Sequence, residues 1–467
     1  MEIQRKTMAR GDRLSDLPDP ILLHILSLLR DCSKAVVRTS VLSKRWRFLW
    51  MSVPLSLGYH FPDSENQNEV TLDYLASIHR ELYYWKSCEK IWKFSVWGLR
   101  YEERYTKDVD LWVHFATKVV NVKAFTLSLF CASRLMYEFP QFGYRNSSLR
   151  DLVLRHCKLN PCGRVNWTSL VSLSIGYVEL TDGAMEKVLS GCPNLECLEL
   201  QKVSGIHHLE ISSVKLRELM IEDYYNKNHD VWLEILAPHI QHLEILGLCG
   251  EIRIGQRNVA SLVTAILRLN FDFEEEERNF EKEFSCLKEL LHSVAHVKNL
   301  ELGTWCIECL SVLELKGWRS PPSSRKYLEL NVAVDQLDFP GICSFLESSL
   351  DLETLVIDWY NQTPRDLLPR YTNEDKQIRR FEAHNFNGSF PHLKTIKIDN
   401  LYGLLSENKF VLPLIKYLLE HATVLEKFVI AATFLGADAF PDYVKMTQEF
   451  QSFPRSSLHA SVVFSYS

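Results

Sequence analysis

The chain contains few residues whose types and spacing could support chemistry. Cys306 and Cys309 form the tetrapeptide CIEC, which supplies only half of a four-ligand zinc site, and no second CxxC accompanies it. The pair His207 and His208 enters a predicted strand, and the acidic run 274–277 has the composition of a solvated loop. Gly-rich phosphate loops, HExxH and GxSxG are absent from the sequence. The sequence therefore predicts no metal, no cofactor and no catalysis.

Composition places the chain among large globular proteins. Its 467 residues are 46% hydrophobic and 24% charged, and its net charge is -6. That balance gives no general attraction to nucleic acid or to anionic lipid, and no apolar run approaches the roughly 18 residues of a membrane helix. The opening MEIQRKTMARGDRL lacks the apolar core of a secretory signal. We therefore expect reduced cysteines and a location in the nucleus and/or the cytoplasm.

The segment 16–50 predicts two or three short helices with more apolar surface than so small a unit can bury. Asp19 followed by Pro20 is a favourable helix start. Apolar residues then recur at helical spacing on two stripes. The first stripe is Ile21, Leu22, Ile25, Leu26 and Leu29, and the second is Leu42, Trp46, Leu49 and Trp50. Residues 54–69 are rich in Pro, Ser, Asn and Gly and predict a linker or an exposed loop, followed by a helix.

An internal repeat fills most of the remaining chain. Its unit is an apolar residue, two others, an apolar residue, one other and a third apolar residue, as in LECLEL. Between Leu149 and Ile240 the period is roughly 21 to 25 residues, which is typical of leucine-rich repeats. The first apolar residues of the units are Ile91, Val122, Leu149, Leu170, Leu195, Leu216, Ile240, Leu310, Leu352, Leu393 and Leu425.

Each repeat predicts one short strand that cannot bury its apolar face alone. Side chains alternate along a strand, so two leucines of each unit enter a core shared with the neighbouring repeats. Stacked repeats then form a curved solenoid. Ordinary amphipathic strands of a compact α/β domain are the alternative, but so many copies in one register favour the solenoid.

The N-terminal segment resembles an F-box. The resemblance rests on DRLSDLPDPILLHILSLL and VVRTSVLSKRWRFLW, and the end of the chain, HLKTIKI to LLEHATVLEKFVI, is similar to an FBD segment. The whole chain thus resembles plant F-box/LRR (FBD-type) proteins. That resemblance implies an α/β fold with a helical F-box at 10–54, a linker and helix at 55–90, repeats at 91–385 and an FBD-like cap at 386–467.

The resemblance also implies a function. Proteins of this family are substrate receptors of SCF ubiquitin ligases, whose F-box binds a Skp-family adaptor and, through it, cullin and RING subunits. The positions that match the family's adaptor contacts are Leu17, Pro18, Ile21, Leu22, Ile25, Leu26, Val41, Leu42 and Trp46. Some of them must also form the internal core of the F-box. Arg30 stands where the family usually has proline, which could loosen the turn.

The repeats contain a candidate surface for a target protein. The residues between and after the apolar positions are expected on the concave side, where Glu199, Glu218, Met220, Glu222, His242 and Glu244 fall in three successive repeats. One interpretation is a surface for a basic target segment, and the other is a generally hydrophilic strand face. A scaffold that binds proteins without ubiquitin chemistry is the alternative function. The sequence does not name the target.

Overall fold

A computed structural model describes residues 14, 17–29, 33–61, 67–86, 90–131, 135–224, 232–248, 252–270, 280–333, 337–361, 367–384, 389–402, 411–433, 448–450 and 452–466. It divides into two compact units, Met1–Cys197 and Leu198–Ser467. Arg30 and the acidic run 274–277 lie outside the described residues. The fold is α/β, as the sequence predicts, with short N-terminal helices followed by parallel strands.

The first unit begins with three short helices and continues into parallel strands. The helices are α1 (Asp19–Leu28), α2 (Ser33–Arg38) and α3 (Trp46–Leu49). The elements that follow are β1 (Leu55–His60), α4 (Gln67–Trp85), β2 (Ile91–Arg100), α5 (Thr106–His114), β3 (Ala124–Phe130), β4 (Tyr137–Glu138), β5 (Asp151–Arg155), β6 (Cys157–Lys158), β7 (Ser172–Glu179) and α6 (Asp182–Ser190). The strand order of the main sheet here is β1-β2-β3-β5-β7, while β4 pairs with β6.

The second unit also consists of parallel strands joined by loops and helices. Its first elements are β8 (Cys197–Ser204), β9 (His208–Glu210), β10 (Glu218–Glu222), β11 (Leu233–Leu236), β12 (His242–Gly247), β13 (Ile252–Ile254) and β14 (Thr264–Leu269). Helices then alternate with strands: α7 (Phe280–Ser293), β15 (Asn299–Leu302), α8 (Thr304–Leu315), β16 (Tyr327–Ala333), α9 (Phe339–Glu347), β17 (Thr354–Asn361), α10 (Glu374–Glu382), β18 (Thr395–Tyr402), α11 (Leu412–His421), β19 (Lys427–Thr433) and β20 (Ser461–Tyr466).

The strands of the second unit lie in chain order. The main sheet runs β8-β10-β12-β14-β15-β16-β17-β18-β19-β20, and a smaller parallel sheet has the order β13-β11-β9. Leu243 and Ile245 of β12 are completely buried, as are their equivalents in β17, Leu355 and Ile357. A helix occupies most connections after β14, which explains why the repeats are more widely spaced there.

The segment 54–69 is not simply a linker, which corrects the sequence prediction. Residues 55–60 form β1, which pairs in parallel with β2 in the register Leu57 to Phe94. Leu55 and Leu57 are buried. The Pro, Ser and Gly residues of this stretch suggested a loop, but alternate apolar side chains were enough to make it an edge strand of the sheet.

One predicted repeat was wrong. The triplet Leu310, Leu313 and Leu315 belongs to α8, not to a strand. This helix is buried along most of its length, so its sequence lacks the polar stripe that distinguishes a surface helix from a buried strand. The strand of that repeat is β16, and the repeats of β14 and β15 were also missed.

Arg325 explains why β16 was missed. It precedes Leu328 and Leu330 at the position where other units begin with an apolar residue, and its side chain is completely buried. Its guanidinium carbon lies 4.6 Å from the centre of the Phe345 ring. None of its guanidinium nitrogens has a hydrogen-bond partner among the described residues. Burial lowers the pKa of Arg325 to about 9.

Candidate functional site

The N-terminal helices enclose a small core of their own. Leu22 and Leu26 of α1, Val36 of α2 and Trp46 of α3 are buried there, each at most 1% exposed. Val53 and Leu55 complete this core, so it continues directly into β1. Burial of such side chains stabilises a fold by about 1.5–3 kcal/mol each.

The same helices leave large apolar side chains in water. Val41 is 84% exposed, and Leu28 and Phe48 are 73% and 63% exposed. We call Ile21, Leu28, Val41, Leu42, Phe48 and Met51, each at least 46% exposed, the exposed N-terminal set. Ile21 and Leu28 are seven residues apart on α1, which places them on the same side of that helix. Large apolar side chains that stay exposed in numbers on a small helical unit favour an interaction surface.

The structure therefore divides the nine predicted adaptor contacts. Ile21, Val41 and Leu42 are exposed and so is Pro18, whereas Leu17 and Ile25 are partly buried against the core. The prediction for the remaining three needs correction: Leu22, Leu26 and Trp46 are buried inside the chain and cannot also face a partner. One turn of a helix has both an inner and an outer side, and the motif alone did not separate them.

Three members of the exposed set were missed from the sequence. Leu28 extends the stripe of α1 by two turns from Ile21, and Phe48 and Met51 lie close after Trp46. The available signal was helical phase: once Trp46 is assigned to the core, Phe48 falls about 200° away from it on α3. That places Phe48 on the outer side.

Side-chain packing, in addition to the covalent connection, holds the N-terminal helices against α4 and the first strand. Trp50 meets Trp85 of α4 edge-on, with ring centres 6.1 Å apart. Trp85 also packs against the core that contains Leu55 of β1. Lys34 and Glu81 add an exposed ion pair between α2 and α4. The exposed N-terminal set is thus held in a fixed position relative to the first strand and to α4.

The second candidate surface is the outward side of β8, β10 and β12. The register places Glu218 beside His242 and Met220 beside Glu244. Glu218 is exposed, and the other predicted target-binding residues, Glu199, Met220, Glu222, His242 and Glu244, are partly exposed. The parallel strands thus bring Glu218, Met220, Glu222, His242 and Glu244 onto one side, and Glu199 lies on the adjacent strand.

Several of these carboxylates already have partners within the chain. The Nε2 of His242 lies 2.6 Å from Oε1 of Glu244. The amide of Gln201 donates to Oε2 of Glu222 over 2.8 Å. These contacts orient the carboxylates of Glu222 and Glu244 and occupy one acceptor oxygen of each.

Acidic side chains continue along this side beyond the predicted set. Glu301 of β15 forms an ion pair with Arg268 of β14 and also accepts a hydrogen bond from Asn331 over 2.9 Å. Burial acts to lower the pKa of Arg268, but the hydrogen bond and charge of Glu301, with the charges of Glu329 and Glu244, raise it above its ordinary value. The outward side of the second unit is therefore predominantly acidic around Arg268.

Other chemistry has little support in the described part of the chain. Cys306 and Cys309 are buried in α8, and burial raises the pKa of Cys306 to about 12. His208 lies 3.4 Å from Glu234 in an exposed pair. The described residues contain no group of three or more His, Cys, Asp or Glu side chains arranged to hold a metal ion. Within those same residues, none of the helices has the length and hydropathy of a membrane span.

Comparison with known families matches both parts of the chain. The F-box domain model matches residues 14–57. The model described as "At1g61320/AtMIF1, LRR domain" matches residues 89–452. This second match includes most of the region that we predicted to be an FBD-like cap, and β18 and β19 there continue the parallel sheet. The FBD resemblance and the boundary at residue 386 stay predictions.

Similar proteins of Arabidopsis thaliana have the same two parts in their names. F-box/LRR-repeat protein At3g03360 is 31% identical over 363 residues, which cover 74% of this chain and 70% of that protein. F-box/LRR-repeat protein At5g02910 is 29% identical over 453 residues, or 93% of this chain and 92% of that protein. F-box/LRR-repeat protein 25 is 36% identical over 239 residues, or 50% and 86%.

The order of the two matches agrees with the order of the structure. The F-box match covers α1, α2, α3 and the first residues of β1, and the LRR match begins just before β2. The chain therefore belongs to the F-box/LRR-repeat proteins.

Proposed function

We propose that this protein is a non-catalytic substrate receptor of an SCF-type ubiquitin ligase. In this proposal the exposed N-terminal set binds a Skp-family adaptor, which connects the chain to cullin and RING subunits. The outward side of the sheet holds the target protein. The observation that carries the proposal is the exposure of Ile21, Val41, Leu42 and Phe48 around a core that is already complete.

The exposed N-terminal set favours a protein partner because the internal core is formed without it. Nothing in the described part of the fold accounts for large apolar side chains at these positions. The buried residues Leu22, Leu26, Val36 and Trp46 account for the internal core. Binding energy in protein interfaces concentrates in a few large side chains that become fully desolvated. Val41 and Phe48, which are 84% and 63% exposed, are the anchors that we expect to dominate.

A receptor of this kind accelerates transfer by proximity. It holds a lysine of the target near the charged conjugating enzyme, so effective concentration replaces an active site. A rigid attachment of the N-terminal helices increases this effect. If the helices moved freely relative to the strands, the effective concentration of the target lysine near the conjugating enzyme would be lower. The Trp50–Trp85 contact and the shared core at Leu55 supply such an attachment between the helices and the first strand.

We further propose that the outward side of β8, β10 and β12 contacts a basic segment of the target. Glu199, Glu218 and Glu244 are the candidates for charge reversal. If the proposal holds, the triple variant Glu199→Lys, Glu218→Lys and Glu244→Lys loses capture of a basic target segment and keeps its adaptor binding. Capture that survives the reversal would contradict it. We propose the nucleus and/or the cytoplasm as the location, with no nucleic acid or membrane as partner.

The test is assembly with the ligase. Full-length chain is expressed in plant cells with an affinity tag, and the recovered Skp-family adaptor and cullin are quantified. The variant carries Val41→Asp and Phe48→Asp together, and the control carries Leu72→Asp, since Leu72 on α4 is 51% exposed but lies outside the F-box match. We expect the double variant to lose both subunits and the control to retain them.

Two results would contradict the proposal. The first is recovery of adaptor and cullin that the double variant leaves unchanged. The second is wild-type chain that recovers partners but neither subunit, which would favour the alternative function of a scaffold without ubiquitin chemistry.

A further inference from the structure

A ladder of residues with left-handed backbone conformation lies near the carboxyl ends of strands in both units. Each lies seven positions after the first apolar residue of its repeat, where the sheet register shifts in several strands. Its members are Gly98, His156, Tyr177, Lys202, Asp223, Gly247 and Asn400. Glycine, asparagine and aspartate tolerate this backbone conformation, whereas a bulky side chain is strained in it.

His156 and Tyr177 are the aromatic members of this ladder. Their φ angles are 55° and 56°, so both hold a ring where glycine would be less strained. The two rings stack with centres 4.7 Å apart, and Phe130 meets His156 edge-on at 6.1 Å. Backbone strain that persists in a fold is a reason to look for a function at that position.

We call Phe130, His156 and Tyr177 the aromatic rim. Phe130 ends β3, His156 follows β5 and Tyr177 lies in β7, so the rim runs along the carboxyl ends of neighbouring strands of the first unit. Phe130 is 55% exposed, and the other two rings are partly exposed. Trp97 of β2, also partly exposed, lies in register with Ser128 two residues before Phe130.

The charges beside the rim are predominantly basic. Arg155 adjoins His156 and is in register with Ser128, and Arg100 is in register with Phe130. Lys93 lies further back on β2. The acidic residues on the same strands are Asp151 and Glu179, and burial raises the pKa of Asp151. In the sheet register Arg100 and Arg155 are therefore the cations that adjoin the rim, and Glu179, two residues after Tyr177 on β7, is the carboxylate that adjoins it.

We propose that the aromatic rim binds an extended segment of the target protein that presents an aromatic ring beside a carboxylate. The ring would stack on Phe130 and Tyr177, and Arg155 or Arg100 would meet the carboxylate. This inference rests on the proposed function, because it assigns the rim to target recognition. Adaptor binding does not depend on it, so the two can fail separately.

The experiment uses full-length chain and three synthetic polymers as probes at 0.15 M salt. A glutamate–tyrosine copolymer carries both features, polyglutamate carries charge without rings, and a lysine–tyrosine copolymer carries rings with the opposite charge. Binding is measured by isothermal titration calorimetry. We expect the glutamate–tyrosine copolymer to bind at least about tenfold more tightly than either other polymer.

The key variant replaces His156→Gly and Tyr177→Gly together. Glycine suits the left-handed backbone, so this variant removes both rings while relieving strain, and its melting temperature should not fall. Asn400→Gly is the matched control at the same repeat position in the second unit. We expect the double variant to bind the glutamate–tyrosine copolymer about tenfold more weakly and the control to bind as the wild type.

A second variant is used if the double variant has a lower melting temperature than the wild type. Phe130→Ser removes an exposed ring, and we expect it to weaken the same copolymer at least about fivefold. The proposal is overturned if polyglutamate binds as tightly as the glutamate–tyrosine copolymer, if the lysine–tyrosine copolymer binds best, or if Asn400→Gly weakens binding as much as removal of the rings. Intact adaptor binding in the same samples shows that the proposed function is unaffected.

Discussion

Arg45 donates a hydrogen bond from Nε to Oδ1 of Asp19 over 2.8 Å and so joins the segment before α3 to the first turn of α1. Both partners belong to the motif that resembles an F-box, Asp19 in DLPDP and Arg45 in SKRW. The Asp19 and Arg45 side chains are 59% and 39% exposed. Exposed ion pairs contribute little to the free energy of unfolding. We therefore infer that this pair mainly orients the two ends of the motif relative to each other.

We therefore expect Asp19→Asn to lower the free energy of unfolding by less than about 1 kcal/mol. The measurement is chemical denaturation of the full chain at low and high salt. The difference from wild type should shrink at high salt, because salt screens an exposed pair. A loss of several kcal/mol would show that the pair has a larger structural role than its exposure indicates.

Trp46 and Val41 should behave in opposite ways. Trp46 is buried, so Trp46→Ala is expected to destabilise the N-terminal helices by about 3–5 kcal/mol, and adaptor binding would be lost through unfolding. Val41→Ala removes an exposed side chain and should leave the melting temperature unchanged while it weakens adaptor binding. Thermal melts together with adaptor titrations distinguish the two effects. Loss of binding by Trp46→Ala without loss of stability would contradict the assignment of Trp46 to the core.

Arg325→Met should stabilise the chain. The substitution replaces a buried cation that has no hydrogen-bond partner among the described residues with an apolar side chain of similar length. We expect a gain of at least about 1 kcal/mol near pH 7, because burial of an unpaired charge is unfavourable. Arg319→Met is the control, since Arg319 is exposed and pairs with Glu314; it should change stability little.

The advantage of Arg325→Met should also depend on pH. The pKa of Arg325 is about 9 in the folded chain, well below the ordinary arginine value that it has in the unfolded chain, so the unfolded state binds more protons in the pH range between the two. The stability contributed by this residue in the wild type therefore rises with pH through that window. Denaturation curves should show the gain in full below pH 9 and a smaller gain above it. A gain that stays constant up to pH 10.5 would exclude the charge as its cause.

Glu308 is a buried carboxylate that holds the turn before α10. Its Oε1 accepts hydrogen bonds from the backbone N–H groups of Leu367 and Leu368, at 3.1 and 2.6 Å. Glu308→Ala leaves both donors without this acceptor and should destabilise the second unit by about 3 kcal/mol. Glu353→Ala, which removes an exposed ion pair with Lys326, should change stability little. Equal effects of the two variants would refute this role of Glu308.

The repeat pattern predicted many of the strands but not all of them. It located β5, β7, β10 and β12 because each of these units supplies three apolar residues at the expected spacing, two of them within the strand, whereas it missed β14 and β15 although their side chains alternate in the same way. It failed at α8, whose buried surface extends around the helix, and at β16, where Arg325 replaces the first apolar residue. In both places the local sequence lacked the contrast in polarity on which pattern recognition depends.

The candidate site was predictable in position but not in detail. The motif predicts an adaptor-binding segment on α1 to α3, where the exposed N-terminal set lies, and this assignment stays a prediction. It also included Leu22 and Trp46, which are both buried in the core. Which side of a short helix is covered depends on residues distant in sequence, here Leu55 of β1 and Trp85 of α4. The aromatic rim was not predicted, because stacking of His156 on Tyr177 depends on the sheet register.

The affinity of the full-length chain for a purified Skp-family adaptor tests the central claim most directly. Isothermal titration calorimetry compares the wild type with the variant that carries Val41→Asp and Phe48→Asp, and with Leu72→Asp as control. The account predicts that the double variant binds at least about tenfold more weakly at an unchanged melting temperature, while the control binds as the wild type. Equal affinities for all three chains, or no binding by the wild type, would contradict it.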